Sequence, residues 1–392
     1  MMTPTQLAKI GAQEALVKPF TNDDLLAALE GHQSVGQLVN NLEKRDGQSD
    51  EEEMDLSDEQ FTSVAIESFF SNKNMLFDVY VKLNENKYLK ILHAGDSFSK
   101  DRIDKYKNEK NITHLYFHAR DRKKYIKYCN HLAAKLIKAN VEGSSKAKVG
   151  VLKVVAEKFL EEINTEGLKP QALDQGKEIC SNIYDIVESD QDLFKILRDF
   201  SDFDPSAYAH AYLVCLFCSM IVKEFDWESK ATIETIAMAA LFHDIGKMKL
   251  PPAVALKRPD DMTEEELAEY HKHPEYGAQI VAGNKLITNS VKQVIMQHHE
   301  KTDGSGFPEG LKDPKLLTMS KILILADYFA HYITENEVTP PKALKEVLTN
   351  PAMVKKFNGA VLEKFMHVFI DPSLKKKDTQ LQSNSKIVSK KA

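Results

Sequence analysis

The chain has 392 residues, 43% hydrophobic and 28% charged, with only 16 Gly and 14 Pro. That length and balance exclude a single small domain, a fibrous repeat and global disorder, and point to two or three globular domains. Asp and Glu number 58 against 52 Lys and Arg, a net charge of -6, which argues against a partner as acidic as a nucleic-acid polymer. Four Cys make no disulfide framework and suit a reducing cytosol. The longest nearly apolar run, Ala211 to Val222, is well short of the roughly 20 residues of a membrane helix. Met1 to Thr5 carries no basic-then-apolar leader. The expectation is a cytoplasmic, multidomain chain with no membrane partner.

Gly11 to Phe20 reads as a helix end, a short buried strand and a Lys-Pro turn, and Asn22 to Leu29 as an amphipathic helix. This stretch, residues 1–31, resembles the last strand and helix of a response-regulator receiver domain. The resemblance gives Lys18 the role of contacting a phosphorylated Asp. It covers about a quarter of a receiver, and so small a part of a doubly wound sheet cannot bury its own core. A start inside a longer reading frame is the favoured expectation, a decayed remnant the alternative. Residues 32–58 are polar and acidic, densest at Asp50-Glu51-Glu52-Glu53, and read as a solvated linker.

Residues 59–140 carry the period of strands. Phe77 to Leu83 and Lys87 to Leu92 alternate with period two around an Asn84-Glu85-Asn86 turn, predicting a hairpin. A helix from Ser99 to Lys110 with Ser99 as N-cap follows, then a strand from His114 to His118. A basic helix closes the module, and its Tyr125 and Tyr128 read as core before partner contact. The expected architecture is a small α+β module of ββαβα order.

From 143 to 374 the apolar spacing is helical throughout, predicting an all-α domain, and 375–392 is a Lys/Ser-rich tail expected to be disordered. Five features of this half converge on metal binding: His210, His243-Asp244, His273 before Pro274, His298-His299, and Asp327. Imidazole and carboxylate are the donors of Fe, Mn, Zn and Ni sites, and no Cys lies among them. Helical neighbours point about 100° apart, so a His-Asp pair suits two ions with the carboxylate as bridge. Cys215 and Cys218 sit mid-helix in an apolar run and read as core. Gly304-Ser305-Gly306 follows a helix and not a strand, so it is no P-loop; it lets the backbone turn sharply.

The segment Leu241-Phe242-His243-Asp244-Ile245-Gly246-Lys247 resembles the HD superfamily signature. His273 to Ala278 matches the next block of that pattern, His298 to Leu311 the long loop that defines the HD-GYP family, and Ile322 to Tyr328 its last metal-ligand helix. The resemblance covers about residues 201–334. It implies a bacterial cyclic di-GMP phosphodiesterase with two divalent ions, iron or manganese before zinc or nickel. One ion would be held by His210, His243, Asp244 and Asp327. Asp244 would bridge to a second, held by His273, His298 and His299. Asp244 and Lys247 would carry the catalysis, Lys247 by reaching a phosphate oxygen, and Gly306, Phe307 and Pro308 would border the substrate. The end product, pGpG or GMP, stays open, as do a homodimer and a diguanylate cyclase (GGDEF) domain as partners.

Several positions depart from the family pattern. Phe307 stands where the naming tyrosine would be, Asn336 and Thr339 where many members carry Arg and Lys, and Ala330 where an Asp is common. Ser206 replaces the Glu of trinuclear members, which favours two metals over three. The metal set is complete and the pocket altered. A weakly active or inactive metal-bound sensor or scaffold is therefore the alternative reading, and another cyclic dinucleotide as substrate a third.

Overall fold

The structure is a computed structural model describing residues 52–55, 57–66, 69, 75–96, 100–139, 145–189, 207–284 and 287–369. The readings of residues 1–31 with Lys18, of Ser99 and Ser206, and of the 375–392 tail lie outside the described residues. Backbone contacts divide the chain into two units, residues 1–186 with 279–288 and residues 187–278 with 289–392.

The first unit is built on a five-stranded sheet of order β1-β4-β3-β5-β2. Its strands are β1 Glu52–Asp55, β2 Phe61–Ala65, β3 Val79–Asn84, β4 Lys87–Leu92 and β5 His114–His118, and all pairings are antiparallel. The alternating residues split as a pleated strand requires. Val79, Val81, Leu115 and Phe117 are buried on one face, and Phe117 packs 4.9 Å from the ring of Tyr125. On the other face Phe61 stacks on Tyr88 at 3.9 Å and on His118 at 4.8 Å. The expected hairpin and third strand are present, and Tyr125 and Tyr128 are buried core.

Two strands were not expected, so the module is no bare ββαβα. β1 lies within the acidic stretch read as linker, yet pairs with β4 through Glu53 opposite Leu89 and Met54 opposite Tyr88. An edge strand needs only its backbone to pair, and charged side chains are tolerated there. β2 was missed because its buried inner positions are Thr62 and Val64, a polar–apolar mix that weakens the period-two signal.

Four helices complete this unit: α1 Lys100–Asn108, α2 Arg122–Ala139, α3 Ser145–Glu166 and α4 Pro170–Ser189. Arg122, on α2, is buried and donates to Thr62 Oγ1 at 2.8 Å and to Glu162 of α3 at 3.3 Å. Asn182 of α4 donates to the Asn130 carbonyl of α2 at 3.4 Å. The helices α3 and α4, which follow residue 143, thus group with the sheet.

The second unit is helical among the described residues. Its elements begin with α5 Ala207–Lys223 and α6 Lys230–Phe242, then a short α7 Pro252–Ala255, α8 Glu264–Tyr270 and the start of α9 His273–Ala282. They continue with α10 Asn289–Gln297, α11 Thr318–Asn336, α12 Pro340–Thr349, α13 Pro351–Val354 and α14 Gly359–Val368. Phe217 of α5, Phe329 of α11 and Phe365 of α14 meet edge to face, with Phe217–Phe329 at 5.3 Å and Phe329–Phe365 at 4.6 Å. Cys215 and Cys218 are fully buried there, and Cys215 donates to the Ala237 carbonyl, which makes them core groups. Among the described residues no helix is long and apolar enough to cross a membrane.

Candidate metal centre

Helix α6 delivers the first pair of ligands. Ser229 caps it, accepting from Thr232 N at 3.1 Å, and its apolar residues run buried to Phe242. The helix ends there; His243 is the C-cap and Asp244 stands at φ -95 and ψ 3 before a single 3-10 turn, Ile245–Lys249. That break in the helix brings the two adjacent side chains together, His243 Nε2 3.5 Å from Asp244 Oδ2. Gly246 makes the turn pack: a Cβ there would sit 1.8 Å from the His273 carbonyl oxygen. The glycine is therefore what lets α9 bring His273 up to Asp244.

The histidines share one device. His243, His273 and His298 each place Nδ1 on the carbonyl three residues back, Ala240, Tyr270 and Ile295, at 2.7, 2.7 and 2.6 Å. Each Nδ1 therefore carries the proton, and each Nε2 is a bare lone pair facing inward. His273 Nε2 and His298 Nε2 lie 3.1 Å apart, and 3.4 and 3.7 Å from Asp244 Oδ1. Two lone pairs at that distance repel unless a cation lies between them. His299 adds its ring 4.8 Å from that of His273 and 4.1 Å from that of His298. Asp244, His273, His298 and His299 form the first group able to hold an ion.

Asp244 also faces the second group, with His210 and His243. His243 Nε2 is 3.5 Å from Asp244 Oδ2 and 3.5 Å from Asp327 Oδ1, while His210 Nε2 lies 2.9 Å from that same Asp327 oxygen. His210, on α5, and Asp327, on α11, are buried and 117 residues apart in sequence. The seven residues expected as metal ligands converge: two groups share Asp244, and Asp327 falls in a third with His210 and His331.

Electrostatics suits cations. Burial, then His331, pushes His210 down to about 4; burial and His298 push His273 down to about 3. His299 is likewise driven well below its usual value by burial and by His298 and His273. Burial opposes the charged form of Asp244, but Lys247 and His243 outweigh it and hold the carboxyl well below the usual range. His210 and His243 do the same against burial for Asp327. His243 alone moves upward, burial opposing while Asp244 and Asp327 prevail. Four buried polar atoms, Asp244 Oδ1, His243 Nε2, His299 Nε2 and His210 Nδ1, find no hydrogen-bond partner. Buried imidazole nitrogens and ionised carboxylates with unpartnered atoms are the donor set that divalent metals take. The residues fit such ions.

Lys247 lies in the 3-10 turn, its Nζ 2.6 Å from Asp244 Oδ2 and 5.5 Å from the centre of the Tyr270 ring. Burial opposes its charge, but Asp244 raises its pKa, so it is an ammonium at any ordinary pH. Phe307 stacks on His271 at 3.9 Å and faces His299 at 4.7 Å, within an apolar cluster of Leu250, Val254 and Tyr270. Gly306 and Pro308 flank it, and the Phe307–Pro308 peptide is cis. A Cβ on Gly306 would meet Glu300 Cα at 2.4 Å. Buried Glu300 anchors this loop, accepting from Glu309 N and Leu311 N, each at 2.8 Å. Asn336 turns its amide to the Tyr332 carbonyl at 2.9 Å, and Thr339 stands at the N-terminal boundary of α12 with no capping hydrogen bond from its side chain.

Sequence reasoning missed three neighbours of the centre: Tyr270, Glu300 as the loop's anchor, and His331. His331 follows Asp327 by four residues on α11, spacing that puts them on one face, and its Nε2 is 3.7 Å from Asp327 Oδ1. That spacing was the available signal.

The HD domain family matches residues 196–351 of this chain. The cyclic di-GMP phosphodiesterase response regulator RpfG of Xanthomonas campestris is 28% identical over 167 residues, 42% of this chain and 44% of the relative. A cyclic di-GMP phosphodiesterase of Thermotoga maritima is 29% identical over 179 residues, 45% of this chain and 48% of its own length. The 3'3'-cGAMP-specific phosphodiesterase 2 of Vibrio cholerae is 33% identical over 123 residues, 31% of this chain and 23% of that one. The chain thus spans less than half the length of these curated relatives. The fold is similar to that of Bd1817, a HDG"Y"P protein from Bdellovibrio bacteriovorus, with TM-score 0.60 and 20% identity over 80% of this chain and 99% of the other.

Proposed function

Starting from an HD domain at residues 196–351, we propose that this chain is a metal-dependent phosphodiesterase of cyclic dinucleotides, with cyclic di-GMP the leading substrate. The observation that carries the reading is the cluster of inward Nε2 lone pairs around Asp244, backed by carbonyls that lock each tautomer. His243, Asp244, Asp327 and His210 would hold one divalent ion, and Asp244, His273, His298 and His299 the other. Iron or manganese suits this nitrogen–oxygen set, and zinc or nickel also accepts it. Bound there, the ions supply Lewis acidity toward phosphoryl oxygens and an acidified water.

The chain's own groups do the rest. Lys247, a cation beside Asp244, is placed to meet phosphate charge with a charge-assisted hydrogen bond. The ring of Phe307, between His271 and His299, gives the substrate side an apolar border, while Gly306 keeps the loop close to Glu300. Relatives named for cyclic di-GMP and for 3'3'-cGAMP support the substrate class.

Chromatography of products after anaerobic incubation of iron- or manganese-loaded protein with either dinucleotide tests the reading, with His243→Ala alongside. Linear product from the wild type alone is the expected result. A second reading, a metal-bound sensor or scaffold, is favoured by Phe307, which lacks a hydroxyl, and by Asn336, whose amide is occupied with Tyr332. Tight dinucleotide binding by metal-loaded protein without any product would select it.

A further inference from the structure

Tyr270 is a neighbour of the centre to which the phosphodiesterase reading gives no task. A capping box of Thr263 and Glu266 starts α8, and Tyr270 is its last residue. The Tyr270 carbonyl accepts from His273 Nδ1 at 2.7 Å, so the residue that locks this imidazole's tautomer also carries the phenol. The side chain is 8% exposed and packs with Leu250 and Val254. Its ring centre lies 4.7 Å from that of His273, 6.2 Å from that of His299 and 6.3 Å from that of Phe307. The Lys247 Nζ stands 5.5 Å from the same centre. One phenol thus neighbours both the ammonium and two of the candidate ion ligands.

A phenylalanine would fill the apolar cluster as well; what a tyrosine adds is a hydroxyl that needs a partner. A phenol keeps its proton at neutral pH. Burial pushes this one further up, to about 12, with Lys247 opposing and Asp244 and Asp327 adding to it. The charged groups that act on the hydroxyl therefore belong to the centre itself. Phe307, the other ring on this side, has no hydroxyl to give.

We propose that Tyr270 is a substrate-contacting residue whose hydroxyl donates a hydrogen bond to a phosphate oxygen of the dinucleotide, beside Lys247. Lys247 supplies charge there, and Tyr270 a neutral donor of fixed direction. The hydroxyl that the 298–311 loop lacks at Phe307 comes instead from α8. The inference deepens the phosphodiesterase reading and rests on it, and the test separates the two.

Full-length, Mn(II)-loaded wild type and Tyr270→Phe are compared in three measurements: metal content, calorimetric titration with inorganic phosphate, and kcat/KM for cyclic di-GMP. The variant keeps the ring and its packing on Leu250 and Val254, and an unchanged melting temperature verifies this. Its kcat/KM should fall about 10- to 100-fold, as expected for one hydrogen bond to a charged group, and its affinity for phosphate should fall with it. Metal content should match the wild type. A variant that binds phosphate as the wild type does, or one that loses metal, overturns the donor, as does a wild type that binds no phosphate. A wild type that hydrolyses no dinucleotide overturns the phosphodiesterase reading instead, and the phosphate titration then still decides the donor.

Discussion

The two units bury polar groups to opposite ends. In the sheet unit Arg122 is enclosed with its partners, Thr62 and Glu162, and its charge is consumed by the contacts that hold α2 to β2 and α3. In the helical unit Asp244 and the inward faces of His243 and His299 are enclosed with atoms left unpaired. A satisfied buried charge mainly specifies packing; an unsatisfied one stores affinity for something to come. The contrast separates a part of the molecule built to hold shape from one built to bind.

Substitution at the two poles should break the contrast in different currencies. The largest effect is expected from Asp244→Ala. Losing the shared carboxylate should lower affinity for the ions by more than about 100-fold, beyond what the loss of a mere outer partner costs. Mass spectrometry of the purified variant checks this, and full metal content would refute the shared-ligand assignment. Arg122→Ala should instead cost about 3 kcal/mol of stability, because buried Glu162 loses its nearer cation and keeps only Lys123 at 3.9 Å. Urea unfolding measures that loss, and the metal content of the folded fraction should not change.

Smaller effects sharpen the picture at the centre. Glu300→Gln replaces one acceptor by a donor against two backbone N–H groups, for a cost of about 1–3 kcal/mol. Unfolding curves report it, and a change below the error of the fit would show that the loop is anchored elsewhere. The metal-free protein should also respond to acid. His210 and His273, at about 4 and about 3 when folded, lie below the value near 6.5 of an unfolded His. Their contribution is therefore whole above about pH 6.5 and is lost as pH falls toward those lower values. His243, raised, acts the other way, full below about pH 6.5 and fading above, and is outnumbered. Melting temperatures of chelated protein at pH 4.5 and pH 7 should therefore rank with the acidic sample lower. The smallest change expected is from Asn336→Arg, an exposed cation worth about 1 kcal/mol toward a dinucleotide phosphate. Isothermal titration with cyclic di-GMP tests it, and an unaltered affinity would place the ligand away from the end of α11.

Local pattern made much of this legible. The β3–β4 hairpin and β5 follow from period-two alternation, and α5, α6 and α11 from apolar residues at helical spacing, because each such pattern buries a face whatever it packs on. The seven donor residues were readable as vicinal and motif pairs, since His243-Asp244 and His298-His299 are adjacent in the chain. β1 was not readable. Its sequence is acidic, and its pairing with β4 depends on backbone groups that composition does not report.

What the sequence determined by itself, then, was the identity of the candidate donors and the helical frame that carries them, both properties of neighbours in the chain. Tertiary structure decided which donors meet. His210 reaches Asp327 across 117 residues, and Gly246 matters because it lets a second helix's carbonyl come within contact of the turn. It also decided the setting of His331, whose spacing from Asp327 acquires meaning only once α5 lays His210 alongside. Distances between segments far apart in sequence are set by packing of the whole core, and no local pattern encodes them.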